Sequence, residues 1–246
     1  MQLIGVSTVQ PELQLQTQAL SLQLTIPMAQ ESEQYQYLLR VTSTGLALHS
    51  TQTSMSPLLI DFLDPNFLRR LFPPALNAET LIKMTGKKAN TVIDTTLGLG
   101  RDSFLLAAKG FQVTAFERSP ILFALVNSGL QHALTQTVTC DIAKRIQLIQ
   151  GSAIELLNQH HADIIYLDPM HPPRKKKSAL VKKEMRIIRD LVGDDTDSKQ
   201  LLSLARQQAK KRVIVKLPMY ADYLSDDKPS FSNEGKTTRF DIYCIT

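Results

Sequence analysis

Hydrophobic positions change rhythm once along this chain, near residue 77. Before that point they alternate with polar ones: Leu20, Leu22, Leu24 and Ile26, then Tyr37, Leu39 and Val41, then Leu46 and Leu48. A period of two is the mark of strands with one buried face. Gly45, set among Thr and Ser residues, reads as the turn between the last two. Ten glutamines fall within residues 2–52, yet the alternation runs through them. Residues 1–76 are therefore expected to form a small, mostly β subdomain and not a low-complexity tail.

From residue 77 the pattern becomes strand, loop, helix, repeated. A helix over 77–85 ends at Gly86, a residue suited to a left-handed cap. Strands are expected at 91–94, 112–116, 146–149, 164–167 and 212–216. Helices are expected at 101–109 (closed by Gly110), 120–134, 178–192 and 198–210, with Ser119-Pro120 supplying an N-cap and a proline at the first helical position. The chain closes on a hairpin whose last strand covers 239–245. Strands alternating with helices mean an α/β, doubly wound parallel sheet, here over residues 77–246, and the terminal hairpin adds an antiparallel edge strand.

Composition narrows the class. With 246 residues, 43% hydrophobic and 21% charged, the chain can bury a core without staples. Its two cysteines, Cys140 and Cys244, form no Cys-x-x-Cys pair, and no His/Cys/Asp grouping has metal-ligand spacing. No apolar run reaches the ~20 residues of a membrane span, and residues 1–6 lack the features of a signal peptide. No metal, no membrane and a cytoplasmic location are expected. The net charge of +5 is a mild hint of an anionic partner. Its distribution says more: Arg174, Lys175, Lys176, Lys177, Lys182, Lys183, Arg186 and Arg189 stand against one acid, Glu184. A one-signed run of this density suits a phosphate backbone. Val181, Met185, Ile188 and Val192 recur at helical spacing and are expected to face the core, leaving Lys182, Lys183, Arg186 and Arg189 on the other side.

Two constellations carry chemistry. The first is DTTLGLGRD (94–102), where the first α/β strand turns into its helix. Gly98 and Gly100 let the backbone approach a ligand beyond the strand ends. Glu117 ends the next strand, 23 residues after Asp94, where an acid accepts both ribose hydroxyls of an adenosine. A dinucleotide fingerprint wants glycine at position 103, which is Ser103. Asp94 and Asp102 flank the glycines and would repel a pyrophosphate. They suit a cationic ligand, and S-adenosylmethionine carries an ammonium and a sulfonium. The second constellation is IIYLDPMHPP (164–173), in which Asp168 and a proline-stiffened loop end another strand. An exocyclic amine of a base is a poor nucleophile. Hydrogen bonds from its N–H groups to Asp168 and to a carbonyl held by Pro169 would aim its lone pair, making catalysis a matter of orientation. His171 is a candidate general base, edge partner or stacking surface. His160 and His161 read as a solvated turn.

Three blocks, DTTLGLGRD (94–102), LDPM (167–170) and KSALVKKEMR (177–186), closely resemble the bacterial 16S ribosomal RNA guanine-N2 methyltransferases of the J type. KRVIVK (211–216) and RFDIY (239–243) support the resemblance near the end. It implies a class I methyltransferase fold, S-adenosylmethionine as donor and a guanosine near the 3′ end of small-subunit RNA as acceptor, with the 16S RNA or the small ribosomal subunit as partner. It also implies cofactor contacts at Arg101, Asp102, Glu117, Arg118, Ser152, Ala153 and Asp168. The chain departs from the family at LRRLFPPA (68–75), where a glycine-rich basic stretch is usual, and at His171, where an aromatic is frequent. Asp168-Pro169 alone also suits adenine-N6 or cytosine-N4 methylation. A non-catalytic RNA-binding module on the same fold is the remaining alternative.

Overall fold

The structure, a computed structural model, describes residues 2–29, 34–53, 56–170, 187, 189, 191–193 and 197–245. His171, Arg174, Lys175, Lys176, Lys177, Lys182, Lys183 and Arg186 lie outside the described residues, as does most of the expected 178–192 helix. Within it Ile187, Arg189, Leu191 and Val192 are helical, and Ile187, which the expected apolar stripe left out, is buried.

The N-terminal part contains β1 (Gln2–Ser7), α1 (Gln14–Leu24), β2 (Tyr35–Thr42), β3 (Gly45–Ser50) and β4 (Leu58–Leu59). The strands form one sheet in the order β1-β2-β3-β4, with β1 and β2 parallel and the remaining pairs antiparallel. The strands through Tyr37–Val41 and Leu46–Leu48 are as expected. The strand expected through Leu20, Leu22 and Leu24 is instead helix α1. Its buried residues are Thr17 and Leu24, spaced seven apart, and Thr17 Oγ1 donates to Leu13 O at 2.8 Å. Leu15 and Leu22, also seven apart, face solvent. The alternating leucines therefore mix a buried and an exposed helix face, and a glutamine-rich, β-branch-poor segment prefers helix.

Short helices α2 (Pro65–Leu68), α3 (Ala75–Ala78) and α4 (Thr80–Met84) lead into the second part. The expected 77–85 helix is thus broken at Glu79, whose ψ is 129°. Then follow β5 (Thr91–Asp94), α5 (Arg101–Ala108), β6 (Gln112–Glu117), α6 (Pro120–Leu134), α7 (Cys140–Ala143), β7 (Ile146–Gln150), α8 (Ala153–Leu156), β8 (Ala162–Leu167), α9 (Ser198–Gln208), β9 (Ala209–Pro218), β10 (Phe231–Glu234) and β11 (Thr238–Cys244). They make a seven-stranded sheet in the order β10-β11-β9-β8-β5-β6-β7. From β9 to β7 all neighbours are parallel, and β11 runs antiparallel to β9 and β10. Ser119 caps α6, its Oγ accepting from Leu122 N–H at 3.3 Å.

One apolar cluster joins the two sheets: Leu39 and Leu48 belong to the same buried group as Leu106, Leu122 and Leu125. Helix α6 is the contact element. Ser128 Oγ accepts from Leu46 N–H at 2.9 Å, and Gly129 lies so close that a Cβ there would stand 2.4 Å from the carbonyl oxygen of Ile60.

Candidate active site

Strand order reverses at β5, with β6 on one side and β8 on the other, so the loops leaving these strands diverge and open a crevice at their carboxyl ends. The loop after β5 is pinned to both neighbours. Thr95 donates to Tyr166 O through its N–H (3.0 Å) and its hydroxyl (2.9 Å), and Leu97 N–H donates to Phe116 O at 3.2 Å. Gly98 (φ 57°) and Gly100 (φ 72°) take the left-handed backbone that a Cβ disfavours, and Gly100 is the N-cap of α5.

Two compartments share this loop. The first is a slot lined by Phe116, Leu122, Ile154 and Leu201 together with Gly151, Ser152, Ala153, Glu117 and Arg118. Glu117 is buried; its Oε1 accepts from Ser119 N–H at 2.8 Å and its Oε2 from Gly98 N–H at 3.3 Å. Arg118 donates to Val192 O at 3.1 Å, tying the 191–193 segment beside the slot. An apolar slot with a carboxylate in its lining suits a nucleoside, whose ring takes the slot and whose hydroxyls donate to the acid.

The second compartment, about 500 Å³, is charged, and its lining includes Arg70, Asp94, Arg101, Asp102, Tyr166, Asp168, Pro169, Arg189, Lys216 and Tyr220. Lys216 Nζ donates to Asp102 Oδ2 and to Asp168 Oδ2, both at 2.8 Å. Tyr166 Oη donates to the same Asp102 oxygen at 2.6 Å. Burial pushes the Asp102 carboxyl up, but the Lys216 ammonium and the Tyr166 hydroxyl outweigh it and hold the group below its ordinary value. Burial works against the Lys216 ammonium in the same way, and the two carboxylates reverse it, so Lys216 is raised and stays protonated. Burial and the nearby carboxylates push the Tyr166 hydroxyl far up. Asp168 is positioned by its backbone as well, its N–H donating to Thr96 Oγ1 at 2.6 Å. Thr96, Gly98, Asp168 and Met170 line both compartments, so the slot and the charged cleft meet there.

Several expected residues sit differently from the sequence reading. Asp94 points inward: its Oδ2 accepts from Ser103 Oγ at 2.6 Å and its Oδ1 from Thr96 N–H at 3.1 Å. Desolvation pushes its carboxyl up to about 7, so it holds the loop as well as lining the cleft. Arg189, expected opposite the core-facing stripe as a phosphate contact, is half-buried and lines the cleft. His160 is no solvated turn; its ring lies edge-on to Phe116 (5.2 Å) and its Nδ1 is 2.8 Å from Leu156 O. His161 is exposed. Sequence reasoning missed Thr96, Tyr166, Lys216 and Tyr220. Lys216 has a signal in hindsight: Leu167 pairs with Val215 across β8 and β9, so the residues that follow them, Asp168 and Lys216, emerge side by side.

A family model described as a putative SAM-dependent methyltransferase matches residues 19–245. The ribosomal RNA small subunit methyltransferase J of Aeromonas salmonicida is 42% identical over 200 residues, covering 79% of this chain and 80% of that protein. The chain belongs to the ribosomal RNA small subunit methyltransferase J family. Its Haemophilus influenzae (strain PittGG) relative of the same name is 45% identical over 190 residues, 75% of this chain and 74% of the relative. The crystal structure of a SAM-dependent methyltransferase from Neisseria gonorrhoeae is 30% identical, with a TM-score of 0.75 over 98% of this chain and 95% of that one. The chain is accordingly an S-adenosylmethionine-dependent methyltransferase with the class I fold. Among the described residues no helix is long and apolar enough to cross a membrane, and no three His, Cys, Asp or Glu side chains gather as a metal site.

Proposed function

We propose that this family member transfers a methyl group from S-adenosylmethionine to the exocyclic N2 amine of a guanosine near the 3′ end of 16S ribosomal RNA, in the cytoplasm. The observation that carries the reading is the position of Asp168, which lines both the apolar slot beside Glu117 and the charged cleft. The residues present fit the donor. Glu117 offers a buried carboxylate to ribose hydroxyls, the Phe116–Leu122–Ile154–Leu201 slot accepts an adenine, and a Cβ on Gly98 would meet nothing nearer than 3.8 Å, which leaves its backbone open to the rest of the ligand. S-adenosylmethionine, when bound, supplies a methyl group made electrophilic by its sulfonium.

The protein's own part is orientation. Asp168 accepts an N–H of the guanine amine, and Pro169 stiffens the loop whose carbonyls accept the other. An amine held at both hydrogens keeps its lone pair in one direction, and a positioned reactant gains several orders of magnitude over a diffusing one. The basic residues from Arg174 to Arg189 contact RNA phosphates, and the small-subunit RNA named in the relatives supplies them. Product identity tests the reading: small subunits from cells lacking this enzyme are methylated in vitro, and their RNA is digested to nucleosides for mass spectrometry. N2-methylguanosine mapping near the 3′ end is expected. N6-methyladenosine or N4-methylcytidine would replace the substrate assignment, and no product with a bound cofactor would favour a non-catalytic RNA-binding role.

A further inference from the structure

We propose that Lys216 is a positioning residue of methyl transfer: its ammonium clamps Asp168 to the cofactor-loop helix, fixing the orientation and the ionised state of the carboxylate that receives the target amine. The inference rests on the Asp168 reading above and adds to it a second residue, from a different strand, with a stated task.

The geometry is specific. Lys216 stands at the carboxyl end of β9, pairs through its backbone with Phe240 of β11, and reaches across to Asp102 on α5 and to Asp168 after β8, each at 2.8 Å. Its side chain retains 28% exposure, toward the cleft. A bridging pair that is partly wet and lines a cavity adds little to stability for its desolvation cost. What it does supply is geometry, since an aspartate on a loop has two side-chain torsions to fix and the clamp fixes the outer oxygen. Charge points the same way. The groups facing Lys216 are Asp94 from β5, Asp102 from α5, Tyr166 and Asp168 from β8 and its loop, with Arg70 and Arg189 on the cleft wall. Without the ammonium, Asp102 and Asp168 would confront each other, and such a pair takes up a proton that neither carries alone. A protonated carboxyl presents a donor where the amine needs an acceptor. With the ammonium, the trio of Lys216, Asp102 and Asp168 carries one net negative charge, which suits a cationic sulfonium nearby.

The test is single-turnover methyl transfer to undermodified small subunits, at saturating RNA and cofactor, between pH 5.5 and 9. Cofactor affinity and thermal midpoint are measured alongside. Lys216→Gln is expected to lose roughly ten- to a hundredfold in rate near neutral pH, with RNA affinity retained and an acid limb displaced to higher pH. Lys216→Arg, which can bridge two carboxylates, is expected to recover most of the rate and the wild-type profile. Asp102→Asn keeps the cation but loosens it, and should slow turnover without moving the acid limb upward; it carries the test if Lys216→Gln does not fold. A wild-type rate in a folded Lys216→Gln or Asp102→Asn protein overturns the clamp. So does a loss in Lys216→Gln that is equal at every pH and tracks a lowered thermal midpoint. Asp168→Asn run in parallel separates the two claims: slow Asp168→Asn with fast Lys216→Gln removes only the clamp, whereas fast Asp168→Asn removes the Asp168 reading and the clamp with it.

Discussion

Asp94 is almost fully buried at the end of β5, with Ser103 and Thr96 as its hydrogen-bond partners. Burial sets its chemistry, pushing the carboxyl from 3.8 up to about 7. Between those values the folded chain keeps a proton that the unfolded chain has released. The stability Asp94 contributes is therefore full at low pH and is lost as pH rises through about 7, with a slope of at most about 1.4 kcal/mol per pH unit. Asp94→Asn removes the titration while retaining an oxygen for Thr96 N–H. Urea unfolding at several pH values should show wild type losing ground to Asp94→Asn from pH 5 to pH 7 and levelling off above it. A stability difference independent of pH would show that Asp94 is ionised throughout. The sequence showed a carboxylate beside two glycines at this position. It did not show which way the side chain turns, because Ser103, its partner, is the residue that a dinucleotide reading only marks as a missing glycine.

Helix α6 packs against β3 and against Ile60, the residue just after β4. Gly129 has no side chain because the backbone of Ile60 occupies the space a Cβ would need, 2.4 Å away. Gly129→Ala gains about 1 kcal/mol of helix propensity but forces a backbone oxygen and the side chain of Ile60 to move, which costs about 1–3 kcal/mol. The clash should win, so denaturant titration is expected to show a net loss of stability; an unchanged or raised midpoint would mean the two parts shift past each other freely. The main sheet was legible element by element, because its strands carry short apolar stretches such as Val92 with Ile93, Ala115 with Phe116, and residues 164–167, between loop and helix signals. Helix α1 was not, since its leucines lie on two opposed faces and imitate alternation. Nor was the Lys216 clamp. Its partner Asp168 is 48 residues away, and only the pairing of β8 with β9 brings the two strand ends together.

At the scale of the whole molecule, a net charge of +5 says little, and the run from Arg174 to Arg189 says more. If Lys182 and Lys183 neutralise phosphates, the double change Lys182→Ala/Lys183→Ala should make the slope of log RNA affinity against log salt shallower by about 0.7–0.9 per lost contact. Cofactor affinity should stay put, because Glu117 and the glycine loop, and not these lysines, are the proposed cofactor contacts. An unaltered salt slope would move the docking surface elsewhere, toward the N-terminal sheet. In the proposed function the basic run holds the RNA and Asp168 orients the amine, with Arg189 belonging to both the run and the cleft wall. Asp168→Ala separates the two tasks most directly, by single-turnover transfer of labelled methyl to undermodified small subunits at saturating RNA and cofactor, with RNA affinity measured on the same protein. Near wild-type RNA binding is expected, with a rate reduced by roughly two orders of magnitude or more; a wild-type rate would contradict the role given to Asp168.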